Sequence, residues 1–218
     1  MVSIARAIAG CVIGFVSAAA LHTAQQTPPS PTIPTLEDVK PEILRVVIDD
    51  QWDRGNDMFG GRQVKAPDTL DWQAISERDQ QRQSAIRALL AKGQIETGRE
   101  YHYAALVFQH SSTPEALTLA HVLAVTAVIQ GDSSAKWLAA ATLDRYLQND
   151  KQAQVFGTQF LRQGDNPQWT MEPYNRAAVP DAVRRLWCVV SQPEQDQALK
   201  DLQAGKSGGF NTSVRECK

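Results

Sequence analysis

The stretch TGREYHYAALVFQHSSTPEALTLAHVLAVTAVIQGD, which starts at Thr97, carries the start signals of two successive helices. Thr97 and Glu100 match the Thr-x-x-Glu capping box, in which each side chain accepts a hydrogen bond from the other residue's backbone N–H. Thr113 and Pro114 open the second helix, because threonine caps free N–H groups and proline is tolerated in the first turn. A pair of consecutive helices is therefore predicted.

Helical patterns extend on both sides of this pair. Glycines mark two helix ends, since Gly93 follows one apolar pattern and Gly131 the next. Further helices are predicted from Pro41, over residues 72–92, after a cap at Asp132 or Ser133, from Pro180 and from Pro193. Residues 55–71 indicate an irregular connection. Residues 152–160 lack helical spacing and are interpreted as a short strand or an extended loop.

The order of these elements predicts an all-α fold of antiparallel helical hairpins, with a short extended segment near 152–160. Tyr103-Ala104-Ala105 and Leu138-Ala139-Ala140 lie 35 residues apart, close to the tetratricopeptide period. Small residues at these positions allow paired helices to approach closely. We therefore expect a tetratricopeptide-like array.

The N-terminus has the pattern of a signal peptide. Arg6 precedes an uncharged apolar run over residues 7–21. Ala18 and Ala20 fit the small-x-small rule, so cleavage is expected after Ala20, with Ala24 as the alternative site. An uncleaved anchor is the competing interpretation, and it requires about 20 apolar residues to span a bilayer.

The chain length suits one domain behind this leader. The predicted organisation is a signal peptide (1–20), a proline-rich linker (21–40), one helical domain (41–204) and a flexible C-terminal tail (205–218). The signal directs export, to the periplasm or to the outside. Cleavage leaves Cys188 and Cys217, which form either a disulfide or two unreactive thiols, because their separation is not readable from sequence.

Composition restricts the classes of partner. A formal net charge of −2 and a pI near 6.1 provide no basic field for nucleic acid. With 43% hydrophobic and 21% charged residues, the mature domain is expected to fold in water without a membrane partner. Neither a nucleophile elbow nor a phosphate or dinucleotide loop is present. His102, His110 and His121 lack the spacing of a zinc helix, so no metal or cofactor is predicted.

Several short motifs occur in a characteristic order: Phe108-Gln109-His110, then Asp144-Arg145, then Gly157-Thr158-Gln159. This order resembles an uncharacterised bacterial family, the domain of unknown function 6624, over roughly residues 77–162. The resemblance implies a helical structure and a shared role that has not been assigned.

Two interpretations apply to the polar residues of these motifs. Structurally, Asp144 and Arg145 form ion pairs or bind the backbone of residues 154–159, and His110 caps a helix end. Functionally, Arg145 binds an anionic group, and His110 acts as a general base beside Asp144 while Gln159 orients substrate or water. The i+4 pair of Asp50 with Arg54 and the i+3 pair of Asp79 with Arg82 are interpreted as surface ion pairs.

Paired amphipathic helices without a known catalytic motif favour a module that binds a protein or peptide. The alternative hypothesis is an enzyme of unassigned reaction, with hydrolysis as the class considered, built from His110, Asp144, Arg145 and Gln159. A third is a purely structural envelope component. The sequence leaves open whether the chain is an enzyme.

Overall fold

The computed structural model describes residues 38–57, 62–63, 69–162 and 168–206, and helices make up most of this part of the chain. The helices are α1 Pro41–Asp53, α2 Trp72–Ala91, α3 Gly98–Phe108, α4 Pro114–Ile129, a 3-10 turn Ser133–Ala135, α5 Lys136–Asn149, α6 Asp181–Leu186 and α7 Gln192–Gln203. Two short strands, β1 Asn56–Asp57 and β2 Arg62–Gln63, pair antiparallel. The predicted all-α character is confirmed. Among the described helices, none combines the length and apolar character needed to cross a bilayer.

The core is built on α3, α4 and α5, which pack in chain order. Their contact surfaces are rich in alanine, including the fully buried Ala104, Ala120 and Ala124. Gly98 shows how closely the helices approach, because a Cβ there would lie 2.9 Å from the carbonyl oxygen of Gln130. The small residues singled out in the sequence therefore lie at helix–helix contacts.

The predicted capping box opens α3. The Thr97 hydroxyl accepts from the Glu100 N–H at 3.2 Å, and the Glu100 carboxylate accepts from the Thr97 N–H at 3.1 Å. Glu100 also accepts from the backbone N–H of Lys40, and Val39 is buried in the core. Burial alone would raise the Glu100 pKa, but these backbone hydrogen bonds lower it. The folded unit thus begins before residue 41, within the segment predicted as linker.

The chain after α5 is mostly irregular. Residues 152–160 form no strand, and Gln154 makes a single bridge with Tyr174. Cys188 follows α6 in the left-handed backbone region, with φ of 58°, and is disulfide-bonded. The cysteine bonded to Cys188 lies outside the described residues. Residues 1–37 and 207–218 also lie outside them, and these contain the predicted signal peptide and most of the predicted linker and tail.

A polar contact joins α3 to the turn before α5. The Asp132 carboxylate lies 3.0 Å from His102 Nδ1 and accepts from the hydroxyl of Ser134. Ser134 Oγ also lies 3.3 Å from the same ring nitrogen. A catalytic Ser-His-Asp arrangement needs serine and aspartate on opposite ring nitrogens. The contact is therefore a structural one, in which Asp132 caps the 3-10 turn.

We expect Asp132→Asn to destabilise the protein by about 2 kcal/mol near neutral pH. Burial alone would raise the pKa of Asp132, but hydrogen bonds with His102 and Ser134 lower it to about 2 from 3.8. A lowered folded-state pKa contributes stability above the unfolded pKa, and this contribution is lost as the pH falls towards 2. Urea unfolding of Asp132→Asn and of the original chain should show the difference in their free energies of unfolding narrowing from about pH 6 to about pH 3. A constant difference would contradict the assignment.

Candidate functional site

Asp144 lies fully buried in α5 and holds the segment that follows the helix. Its Oδ1 accepts from the backbone N–H groups of Val155 and Phe156 at 2.8 and 2.9 Å. Its Oδ2 accepts from the backbone N–H of Thr158 at 2.9 Å and from the Thr158 hydroxyl at 2.7 Å. Burial raises the pKa of Asp144, and these hydrogen bonds oppose the rise. All four contacts serve to fix residues 155–158, which we call the Asp144 loop.

The Asp144 loop is held from its other side by buried side chains of the C-terminal region. Arg184 donates to the carbonyl of Phe156 at 2.7 Å, and Gln195 donates to the carbonyls of Phe156 and Gly157 at 2.8 Å each. Gly157 has φ of 66°, and a Cβ there would lie 2.7 Å from the ring of Tyr174. Only glycine fits this position. The motif residues Gly157 and Thr158 are thus explained by packing and hydrogen bonding.

Gln159 completes the same region. Its side chain donates to Thr158 Oγ1 at 3.0 Å, and its backbone N–H donates to Gln154 Oε1 at 3.0 Å. Asp144 and Gln159 are therefore neighbours through Thr158. The contacts of these two residues belong to the loop anchor, and none of them involves His110 among the described residues.

His110 lies just beyond α3 and faces a different carboxylate. Its Nε2 is 3.6 Å from Asp50 Oδ2, slightly too long for a hydrogen bond. Arg145 lies on the same side, where its Nη1 donates to the carbonyl of Gln109 at 3.0 Å. The structure thus brings His110 together with Asp50 and places Arg145 beside it, while Asp144 and Gln159 form a separate group.

Asp50 belongs to a buried ionic network between α1 and α2. Arg54 binds Asp50 at 2.8 Å and also Asp79, and Arg82 binds Asp79 at 2.9 Å and also Asp53. Asp50, Arg54, Asp79 and Arg82 are each buried. The prediction that these two pairs lie at the surface is wrong, because both pairs lie on the inward faces of their helices and bind across the interface.

Burial sets the electrostatics around His110. It raises the pKa of Asp50 to about 7, against the opposing charge of Arg54. It also lowers the pKa of His110 well below its usual range, and the positive charges of Arg54, Arg145 and Arg82 lower it further. His110 is therefore neutral at physiological pH. Three guanidinium groups and the Asp50 carboxylate thus lie close to its ring.

A second feature is an apolar groove of about 270 Å³ on another face of the domain. It is lined by Val125, Val128, Ile129, Lys136, Ala139, Leu186 and Trp187. Ile129 and Leu186 are 76% and 69% exposed, which is high for large apolar side chains. No motif in the sequence pointed to this groove, because one wall comes from α4 and the start of α5 and the other from the end of α6, much later in the chain.

The Asp144 loop and the groove are physically connected. Phe156 of the loop packs against Trp187 of the groove wall, with ring centroids 5.2 Å apart. Arg184, which binds the carbonyl of Phe156, belongs to α6, the helix that also carries Leu186. The motif residues therefore support one wall of the groove.

No family model, curated protein or solved structure matches this chain. The resemblance to the domain of unknown function 6624 stays a prediction. The function is therefore inferred from the geometry of the groove and of the two polar groups.

Proposed function

We propose that this chain is an exported binding module whose apolar groove takes up an apolar segment of a protein or peptide. The observation that carries the proposal is the groove itself, with Ile129 and Leu186 exposed at its edges. Covering one such side chain contributes about 1.5–3 kcal/mol. A partner that covers both therefore has a clear energetic reason to bind.

The charges near the groove indicate the chemistry of the partner. Lys136 lines the groove and Arg185 lies next to Leu186 on α6. Neither forms an ion pair with a carboxylate of the described residues. An amphipathic helix with an apolar stripe and flanking Asp or Glu residues matches both the apolar lining and these cations.

Three features support the wider proposal. Consecutive packing of α3, α4 and α5 through short connections is compatible with a tetratricopeptide-like array of antiparallel hairpins. The signal-peptide pattern around Ala18 and Ala20 favours export to the periplasm or the outside. The disulfide at Cys188 supports the same destination, since disulfides persist in oxidising compartments.

The test is selection of displayed random peptides on the purified chain, followed by fluorescence polarisation with the selected peptides. We expect apolar residues at helical spacing flanked by acidic residues. Ile129→Asp and Leu186→Asp should each weaken binding about tenfold or more, because tenfold corresponds to about 1.4 kcal/mol and each change removes a larger apolar contact.

Val122→Asp is the matched control, since Val122 is an exposed apolar residue of α4 that does not line the groove. It should leave affinity unchanged. Equal binding by all three variants would refute the groove as the site. Binding to phosphatidylglycerol vesicles in place of peptides, lost in the same two variants, would identify a lipid surface as the occupant and overturn the proposed partner.

A further inference from the structure

Three buried side-chain nitrogens, one in the turn after α3 and two in the second half of α5, have no hydrogen-bond partner among the described residues. They are Nε2 of His110, Nε of Arg145 and Nε2 of Gln148. His110 keeps 19% of its side chain exposed, but Nε2 itself is buried. Buried donors of this kind are rare in folded proteins, because each lost hydrogen bond is costly. The end of α5 contacts the turn that carries His110, through Arg145 on Gln109 and Asn149 on Ser112, so an acceptor between the two elements could serve these nitrogens.

Two of these donors are presented by one helix. Arg145 and Gln148 are three residues apart on α5, so their side chains lie on the same face. Arg145 also approaches the turn after α3, where Nη1 binds the carbonyl of Gln109, the residue before His110. The α5 face and the His110 turn therefore border the same region.

The positive charge of Arg145 has no carboxylate partner of its own. The neighbouring Arg54, Arg78 and Arg82 are instead paired with Asp50, Asp53 and Asp79. Arg145 forms no ion pair with a carboxylate of the described residues, and the one acceptor that it binds among them is the carbonyl of Gln109. Burial lowers the pKa of Arg145, and the nearby positive charge of Arg54 lowers it further. A buried cation is normally paired, so an anion is the missing partner.

An alternative role for Arg145 is to cap the C-terminus of α3. This role would account for only one of its three side-chain nitrogens. The carbonyl of Gln109 engages Nη1, and cations are favoured at a helix C-terminus. Capping does not account for Nε, nor for the amide of Gln148. Nε points along the edge of the guanidinium that binds carboxylate and phosphate groups in a two-donor fork.

We propose that Arg145 and Gln148, with His110 beside them, form a binding site for a small oxyanion, a carboxylate or phosphate group. Arg145 supplies the charge and Nε, and Gln148 supplies a neutral amide donor. Neutral His110 is a further donor through Nε2, which no described residue binds. This site is separate from the apolar groove, so it adds a ligand to the proposed peptide partner.

The experiment is calorimetric titration of the full chain with inorganic phosphate and, separately, with succinate, at constant ionic strength. At least one of the two should bind saturably. Arg145→Lys, which keeps the charge but loses Nε, and Gln148→Leu should each weaken that binding about tenfold or more. Arg45→Gln, a change at an exposed arginine of α1, should leave it unaltered.

A site-specific readout separates binding from a general effect on folding. The added negative charge should raise the pKa of His110, measured from its imidazole NMR signals with and without the bound anion. Ile129→Asp should bind phosphate or succinate as the original chain does. A negative result for peptide binding at the groove would therefore leave the test of the anion site unaffected. Absence of saturable binding by both anions, or equal binding in Arg145→Lys and Gln148→Leu, would overturn the proposal.

Discussion

Asp144→Ala is expected to lower the free energy of unfolding by on the order of 4 kcal/mol. The substitution removes the acceptor of four hydrogen bonds, three from backbone N–H groups and one from the Thr158 hydroxyl. Phe156 and Thr158 are buried, so their backbone N–H groups lose a hydrogen-bond acceptor without gaining water as a replacement. Guanidinium chloride unfolding measures the loss.

Asp150→Ala is the matched control, because Asp150 is an exposed aspartate at the end of the same helix. It should change stability by no more than about 0.5 kcal/mol. Asp144→Ala should also weaken peptide binding at the groove, since the loop it anchors carries Phe156 against Trp187. If Asp144→Ala proved as stable as Asp150→Ala, the backbone N–H groups of the Asp144 loop would have found other hydrogen-bond acceptors.

Helix starts could be predicted from the sequence because caps are local. Thr97 and Glu100 form their capping box, and the Thr113 hydroxyl accepts from the N–H of Ala116 as the first turn of α4 requires. Such contacts span only three residues, so residue type and spacing are sufficient to identify them.

The buried ionic network could have been found from the same sequence. Ile43, Val47, Asp50 and Arg54 follow one another at the spacing of a single helix face, and so do Ile75, Asp79, Arg82 and Ile86. Charges on an apolar stripe indicate burial, whereas i+3 and i+4 spacing alone does not separate a surface pair from a buried one.

Which side chains contact each other across the fold depends on tertiary packing, and this could not be predicted from the sequence. His110 contacts Asp50 from 60 positions earlier in the chain. Asp144 and Arg145 are adjacent in sequence, but successive residues of a helix point about 100° apart. This geometry places Asp144 on the loop anchor and Arg145 on the His110 side, and so divides the four predicted residues into two groups.

Arg54→Met should lower the free energy of unfolding by about 3 to 5 kcal/mol. The change keeps much of the side-chain volume but leaves the Asp50 carboxylate buried without its ion pair. Asp79 keeps Arg82, so the loss falls mainly on Asp50. Arg45→Met, at an exposed position of the same helix, is the control and should have little effect.

The pH dependence of Arg54→Met identifies the cause of its instability. Arg54 lowers the pKa of Asp50, which burial raises to about 7, so removing Arg54 raises this pKa further. A carboxyl group with a raised folded-state pKa loses stability as the pH rises from the unfolded to the folded value. The difference in free energy of unfolding between Arg54→Met and the original chain should therefore widen from about pH 6 to about pH 9.

Adding Asp50→Leu to Arg54→Met should restore part of the lost stability, because it removes the unpaired charge. A gap that stays constant with pH, with no recovery in the double variant, would instead assign the loss to packing.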